Sequence, residues 1–144
     1  MWGKRRAFTE HVHKLGELLD QKTNGEFTLN ISYGGLSKNR ENLDGISIGA
    51  FEMAQFCAGY HADKNRVVTV LELPFLGVEN LAQEVAVSAA VYAHPAATEE
   101  MAQWNAKLLM TSPMPQYNLV GTGEPRTTLS DFEGMRVRAT GGLG

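Results

Sequence analysis

Apolar residues recur along this chain at two different spacings, and the two spacings predict a succession of helices and strands. Between residues 8 and 19 an apolar side chain returns at every third or fourth position, namely Phe8, Val12, Leu15 and Leu19. This spacing predicts an amphipathic helix that ends at Asn24-Gly25. Between residues 27 and 31 apolar and polar residues alternate instead, which predicts a strand with one buried face.

The rest of the chain continues this alternation of helices and strands. Two further helices are predicted, over residues 79–92 and from Pro95 to about residue 106, and a shorter one over residues 39–48, closed by Gly49. Further strands are predicted over residues 51–57, 67–73 and 107–111. Alternating helices and strands indicate an α/β layer architecture with a mainly parallel sheet.

The segment 129–138 predicts a short helical turn followed by a strand. Ser130 and Glu133 have the spacing of a capping box, in which a hydroxyl and a carboxylate satisfy the free amides of a helical turn. Gly134 can end that turn in a left-handed conformation. Residues 135–138 then alternate as a half-buried strand should.

Two arginines share one face of this predicted strand. If Met135 and Val137 face a core, Arg136 and Arg138 point to solvent or to a cleft. A guanidinium group is planar and donates two parallel hydrogen bonds, which suits a carboxylate. The pattern therefore indicates a candidate site for an organic anion.

Composition places the chain among ordinary globular proteins. It has 144 residues, of which 43% are hydrophobic and 20% charged, enough for one domain with a core. The net charge of −3, with residues 4–6 as the only basic cluster, argues against a nucleic acid as partner. Cys57 is the single cysteine, so the chain has neither an internal disulfide nor a thiolate metal cluster.

Targeting and catalytic signals are both weak. No apolar run approaches the roughly 18 residues of a membrane span, and none follows residues 4–6 as a signal peptide would require. His11 and His13 are two positions apart on a helix and point to different faces, while His61 and His94 stand alone in loops, where a surface position is expected. The chain carries no familiar hydrolase, metalloprotease or phosphate-loop motif. We therefore expect a protein that is not an enzyme.

The segment 128–138 resembles the signature of solute-binding proteins of tripartite ATP-independent periplasmic (TRAP) transporters. Four further segments are similar to those of the same family and follow in its order: Lys22-Thr23-Asn24-Gly25, Tyr33-Gly34-Gly35-Leu36, the stretch from Leu43 to Met53, and Leu73-Pro74-Phe75-Leu76. The resemblance extends from residue 8 to residue 138, so it covers nearly the whole chain.

The resemblance implies a periplasmic-binding-protein-like fold of two α/β lobes. Residues 1–122 would form most of the first lobe, and residues 123–144 the crossing segment and the start of the second lobe. Family members are exported and roughly twice as long, so a fragment is expected that lacks its signal, its first strand and its second half. The segment 121–125 is the expected linker between the lobes.

Five ligand-binding residues are expected, and the resemblance implies those at positions 116, 117 and 138. Arg138 occupies the position whose arginine binds the solute carboxylate in the family, although a plain salt bridge is the alternative. Gln116, with its neighbour Tyr117, lies where many relatives place a second polar contact, although Gln116 is as plausible as an ordinary strand residue. Gln55 and Tyr33 are expected to line the cleft, with an exposed loop position as the alternative for Tyr33.

The function implied is that of a periplasmic receptor that delivers an organic acid to the membrane subunits of a TRAP transporter. A glutamine in place of a second arginine is more similar to the branch that binds 2-oxo or 2-hydroxy carboxylates. Some of those relatives hold the solute through a metal ion, but its ligands would lie outside this chain. The alternatives are a receptor of another transporter class, a small α/β enzyme with an unrecognised site, or an interaction domain.

Overall fold

The computed structural model describes residues 7–73, 76–113 and 120–138. Within these ranges every regular element is helical, and no residue is assigned to a strand. The α-helices are α1 (Ala7–Lys22), α2 (Asn42–Ser47), α3 (Arg66–Thr69), α4 (Leu81–Ala93) and α5 (Pro95–Ala102). Short 3-10 turns cover Ala58–His61, Val70–Glu72 and Leu129–Phe132.

Helix α1 ends where its sequence predicts. Asn24 and Gly25 take left-handed backbone angles, with φ of 52° and 85°. The Gly25 amide donates to the Asp20 carbonyl at 2.9 Å, which satisfies one of the last carbonyls of the helix. The prediction of an amphipathic helix before Asn24-Gly25 is confirmed.

The predicted helices are also confirmed as α4 and α5. Each begins where a neighbouring residue caps its first turn. The Asn80 side chain accepts a hydrogen bond from the Gln83 amide at 3.0 Å and caps α4. Pro95 is the first residue of α5, where its missing N–H costs nothing. His94 precedes it and caps the helix by accepting from the Ala96 amide at 3.2 Å.

The predicted strand over residues 67–73 is wrong, because this segment forms α3 and the 3-10 turn Val70–Glu72. A short apolar run has the same composition in a buried strand and in a buried helix. Asn65, just before α3, favours the helix because the Thr69 hydroxyl donates to the Asn65 carbonyl at 2.9 Å. Val68 and Thr69 are buried by this packing.

The other predicted strands run as extended segments that are not assigned to a sheet. Phe27 is 46% exposed and Leu109 is 64% exposed, whereas Leu29 and Leu108 in the same two segments are half-buried. A strand exists only through hydrogen bonds to a neighbour, and alternation alone does not supply that neighbour. The α/β sheet and the two lobes are therefore not confirmed among the described residues.

The apolar core is small and lies where α3, α4 and α5 meet. Its buried members are Ala58, Val68 and Ala97, with Val67, Tyr92 and Leu108 packed against them. Burial raises the pKa of Tyr92, while a hydrogen bond with Thr111 acts in the opposite direction. Leu43 of α2 and Met101 of α5 are buried as well. No helix among the described residues is both long and apolar enough to cross a membrane.

A polar turn formed by residues 58–65 borders this core, and it is more ordered than the loop predicted there. Asn65 is fully buried, and its amide nitrogen, oriented towards the backbone, donates to the carbonyls of Ala58 at 3.1 Å and His61 at 2.7 Å. The Trp104 indole donates to the Lys64 carbonyl at 3.0 Å. His61 is fully buried, so its expected surface position is wrong.

The junction between α2 and the segment that follows it provides a test of the fold. A methyl group on Gly45 would overlap the Phe51 ring, which is itself buried. Replacing a helical glycine with alanine gains up to about 1 kcal/mol from propensity, whereas overpacking costs about 1–3 kcal/mol. We expect Gly45→Ala to lower the free energy of unfolding, measured by chemical denaturation.

Gly121→Ala is the matched control, because a methyl group there meets no atom within 4 Å. Its free energy of unfolding should change by less than about 0.5 kcal/mol. A Gly45→Ala chain as stable as the control would contradict the close packing of α2 on Phe51.

Candidate functional site

Two of the residues predicted to bind ligand lie in a polar cluster around α1. We call this the α1 cluster, and it consists of His11, His13, Tyr33, Gln55 and Ser112. These residues come from α1 and from three extended segments that are far apart in the sequence. All five side chains are half-buried.

Ser112 joins one half of the α1 cluster. Its Oγ accepts a hydrogen bond from Gln55 Nε2 at 2.9 Å and lies 3.2 Å from His11 Nδ1. A serine hydroxyl can donate one hydrogen bond and accept two, so Ser112 can serve Gln55 and His11 at the same time.

His13 and Tyr33 form the other half of the cluster. The Tyr33 hydroxyl and His13 Nε2 form a hydrogen bond of 2.6 Å, and the two ring centroids are 6.1 Å apart. The two histidines have different partners, as expected for positions two apart on a helix. Helix α1 packs at Gly16 against Leu29, four residues before Tyr33, where a Cβ at Gly16 would make an ordinary contact of 3.5 Å with the Leu29 Cβ.

The chemistry of the α1 cluster is that of neutral donors and acceptors. Imidazole, amide and hydroxyl groups of this kind bind carbonyl, hydroxyl or carboxylate oxygens without requiring a metal. Among the described residues, no group of three or more His, Cys, Asp or Glu side chains is placed to hold a metal ion. Cys57, two residues beyond Gln55, is half-buried, and burial raises its pKa to about 11, so it stays a thiol at neutral pH.

The motif from residue 128 onward forms its helical turn, but with different capping residues from those predicted. Thr128 is the N-cap, and Asp131 supplies the carboxylate of the capping box. Asp131 Oδ2 accepts from the amides of Thr128 at 2.9 Å and Thr127 at 2.8 Å. These two bonds, the Thr128 bond first, lower the pKa of Asp131. The predicted pair Ser130 and Glu133 is wrong because the turn begins two residues earlier.

The end of this turn agrees with the sequence, but the strand after it does not. Gly134 has a φ of 72°, and the Met135 amide donates to the Phe132 carbonyl at 3.1 Å. Met135 and Val137 are 45% and 56% exposed, so the predicted half-buried strand is wrong. The reason is that no other described element covers the apolar face of this segment. Arg138 is exposed.

Arg138, another predicted site residue, makes no hydrogen bond or ion pair with the α1 cluster within the described part of the chain. The predicted residues Gln116 and Tyr117 lie outside the described residues. A separate open depression of about 620 Å³ lies beside the loop 37–41. It is lined by Gly34, Ser37, Lys38, Asn39, Arg40, Glu41 and Tyr60.

Comparison with known proteins now adds a decisive observation. Residues 1–142 match the family model DctP, described as bacterial extracellular solute-binding protein, family 7. The chain belongs to this family. No curated protein and no solved structure matches it significantly. Membership in the DctP family confirms the predicted relation to the solute-binding receptors of TRAP transporters.

The DctP family is one of receptors that bind a solute for a membrane transporter, and it is generally non-enzymatic. Sequence reasoning named Tyr33 and Gln55 but missed their partners His11, His13 and Ser112. A serine that follows a predicted strand carries no signal of its own. Only the folded chain brings Ser112 within hydrogen-bond distance of groups 57 and 101 positions away in sequence.

The joining role of Ser112 gives a second test. We expect Ser112→Ala to cost about 1–3 kcal/mol of unfolding free energy, because it leaves two half-buried polar groups without their shared partner. The ¹⁵N chemical shifts of the His11 ring should also change, because Nδ1 loses its hydrogen-bond partner.

Ser130→Ala is the control for this substitution, because Ser130 is an exposed serine whose hydroxyl contacts only another exposed hydroxyl. Its effect should stay within about 0.5 kcal/mol. If both variants are equally stable and the His11 shifts are unchanged, Ser112 does not organise the α1 cluster.

Proposed function

We propose that this DctP-family chain belongs to a periplasmic receptor that captures a 2-oxo or 2-hydroxy carboxylic acid. The receptor delivers the acid to the membrane subunits of a TRAP-type transporter. The single observation that carries the proposal is the family match over residues 1–142. That membership supports the proposed fold, partner and compartment, and the predicted site residues support the choice of solute.

Arg138 is the proposed carboxylate ligand. Its guanidinium is exposed at the end of the capped motif, and it is free to form two parallel hydrogen bonds with a planar anion. Gln116 and Tyr117 are proposed as further contacts from the crossing segment. A single arginine with a glutamine favours a monocarboxylate with one additional oxygen over a dicarboxylate held by two arginines.

The α1 cluster is proposed to receive that additional oxygen. Tyr33 and Gln55 are the first-lobe contacts, and the hydrogen bonds from His13 and Ser112 hold them in place. Neutral groups suit an oxo or hydroxyl oxygen, because they add no second charge to the one supplied by Arg138.

Ligand binding is proposed to close two lobes around the solute. Residues 1–122 would belong to the first lobe and residues 123–144 to the crossing segment and the start of the second. A ligand that bridges both lobes shifts the equilibrium towards the closed form by its preference for that form. Closure excludes water and strengthens the contact between the carboxylate and Arg138.

Thermal unfolding of the natural full-length protein tests this function. A tight ligand raises the unfolding free energy by about 2.7 kcal/mol at a hundredfold excess over its dissociation constant, which is several degrees. We expect a shift with 2-oxo or 2-hydroxy acids and a smaller one with C4-dicarboxylates. The protein must first be stripped of any ligand carried through purification.

Arg138→Ala should weaken binding of the active acid by at least about 2 kcal/mol, or roughly 30-fold in dissociation constant, measured by calorimetry. Arg136→Ala is the matched control, because Arg136 is a nearby exposed arginine on the same segment. Unchanged affinity in Arg138→Ala would refute the carboxylate assignment. Stabilisation by no acid at all would refute the solute class.

A further inference from the structure

His61 is a buried histidine that the proposed binding mechanism does not use. It ends the 3-10 turn Ala58–His61, and its relative exposure is 0%. Within the described part of the chain, neither ring nitrogen has a hydrogen-bond partner. The Phe56 ring meets the imidazole edge-on, with centroids 5.0 Å apart and planes at 86°.

The buried site of His61 favours the neutral imidazole over the protonated form. Buried polar atoms in folded proteins are nearly always paired, so two unpaired nitrogens in one ring are exceptional. A neutral imidazole packs against Phe56 as an aromatic ring. An imidazolium has two N–H donors and a charge, and the Asn39 backbone and nearby carboxylates do not outweigh the cost of burying them.

Of the charged groups around His61, Lys64 favours the neutral ring, whereas two carboxylates favour the protonated one. Burial lowers its pKa below the ordinary 6.5, and the ammonium of Lys64 lowers it further. Asp44 of α2 and Asp63, together with the Asn39 backbone, act in the opposite direction. Asp44, however, is already paired with Lys64, whose Nζ lies 2.7 Å from Oδ1 and 2.6 Å from Oδ2.

The backbone of His61 also anchors the turn 58–65. Its carbonyl accepts from the amides of Lys64 at 2.7 Å and Asn65 at 2.9 Å. The Lys64 carbonyl in turn receives the Trp104 indole, and the Lys64 ammonium lies 5.3 Å from the centre of that ring. Tyr60, next to His61, lines the depression beside the loop 37–41. Movement of the imidazole would therefore displace both Tyr60 and Trp104.

We propose that His61 is an acid-sensitive latch of this receptor. Protonated His61 leaves its buried site, and the turn 58–65 opens away from α2 and the loop 37–41. The depression lined by Tyr60 changes shape as a result. The inference concerns conformation alone and stands whether or not the proposed solute is correct.

The direction of the pH effect follows from linkage. Because the folded chain binds a proton on His61 less readily than the unfolded chain, the unfolded state carries more protons below pH 6.5. The stability contributed by neutral His61 is present above that value and is lost as the pH falls towards the lowered pKa. Acid therefore opens the latch and alkali closes it.

Trp104 is a built-in reporter for the experiment. In the full chain with Trp2→Phe, Trp104 fluorescence and its indole N–H resonance would be followed from about pH 8 to about pH 4.5, together with the His61 ring resonances. We expect the Trp104 signals to change with a midpoint below 6.5 that coincides with the titration of His61. His61→Leu replaces the imidazole with an apolar side chain of similar size that cannot be protonated, so it should abolish that transition.

His94→Gln is the control, because His94 is exposed and distant in sequence, and it should retain the transition. A transition that persists unchanged in His61→Leu would overturn the proposal. If His61→Leu does not fold, the titration of His61 in the chain that retains it is the test. A His61 that titrates at its ordinary value, or without any change at Trp104, would overturn the latch as well.

Discussion

The Asn65 side chain supplies the constraint on which much of the described structure depends. It is fully buried, and its amide donates to the carbonyls of Ala58 and His61, the second of which also accepts from two backbone amides. Burying this amide without partners would cost about 1–3 kcal/mol, so the turn that surrounds it keeps its geometry. The apolar core beside it has three buried members within the described ranges, Ala58, Val68 and Ala97. Buried hydrogen bonds therefore stabilise this region together with hydrophobic packing.

The same constraint explains how the candidate site is assembled. The turn 58–65 follows the extended segment that contains Gln55, whose side-chain amide donates to Ser112. Ser112 lies just beyond Leu108, which packs on the same core, and it reaches His11 of α1. Three separate parts of the chain thus meet at one hydroxyl. The α1 cluster depends on tertiary packing, and none of its hydrogen bonds is local in sequence.

Helix boundaries that neighbouring residues decide could be predicted from the sequence, whereas contacts between distant segments could not. Helix α1 ends at Asn24-Gly25 and α5 begins at Pro95, because each boundary is decided by residues within one turn. The segment 67–73 was assigned to a strand because an apolar run of that length does not reveal its partner. Tyr33 and Gln55 were predicted from their places on the expected strands, whereas the contacts of Ser112 and the burial of His61 became visible only in the fold. Burial of a histidine is decided by its surroundings, and the sequence does not display them.

Arg138 and the α1 cluster are supported by different kinds of structure, and this difference bears on how a receptor of this family works. The turn that carries Arg138 is stabilised by its own capping bonds between Asp131 and Thr128, while its apolar residues remain exposed. The cluster is held by contacts across the packed body. A solute that contacts both must order one part relative to the other, and this ordering lowers its net affinity. It also makes the ordered arrangement depend on the solute, which is what a transporter requires in order to recognise a loaded receptor.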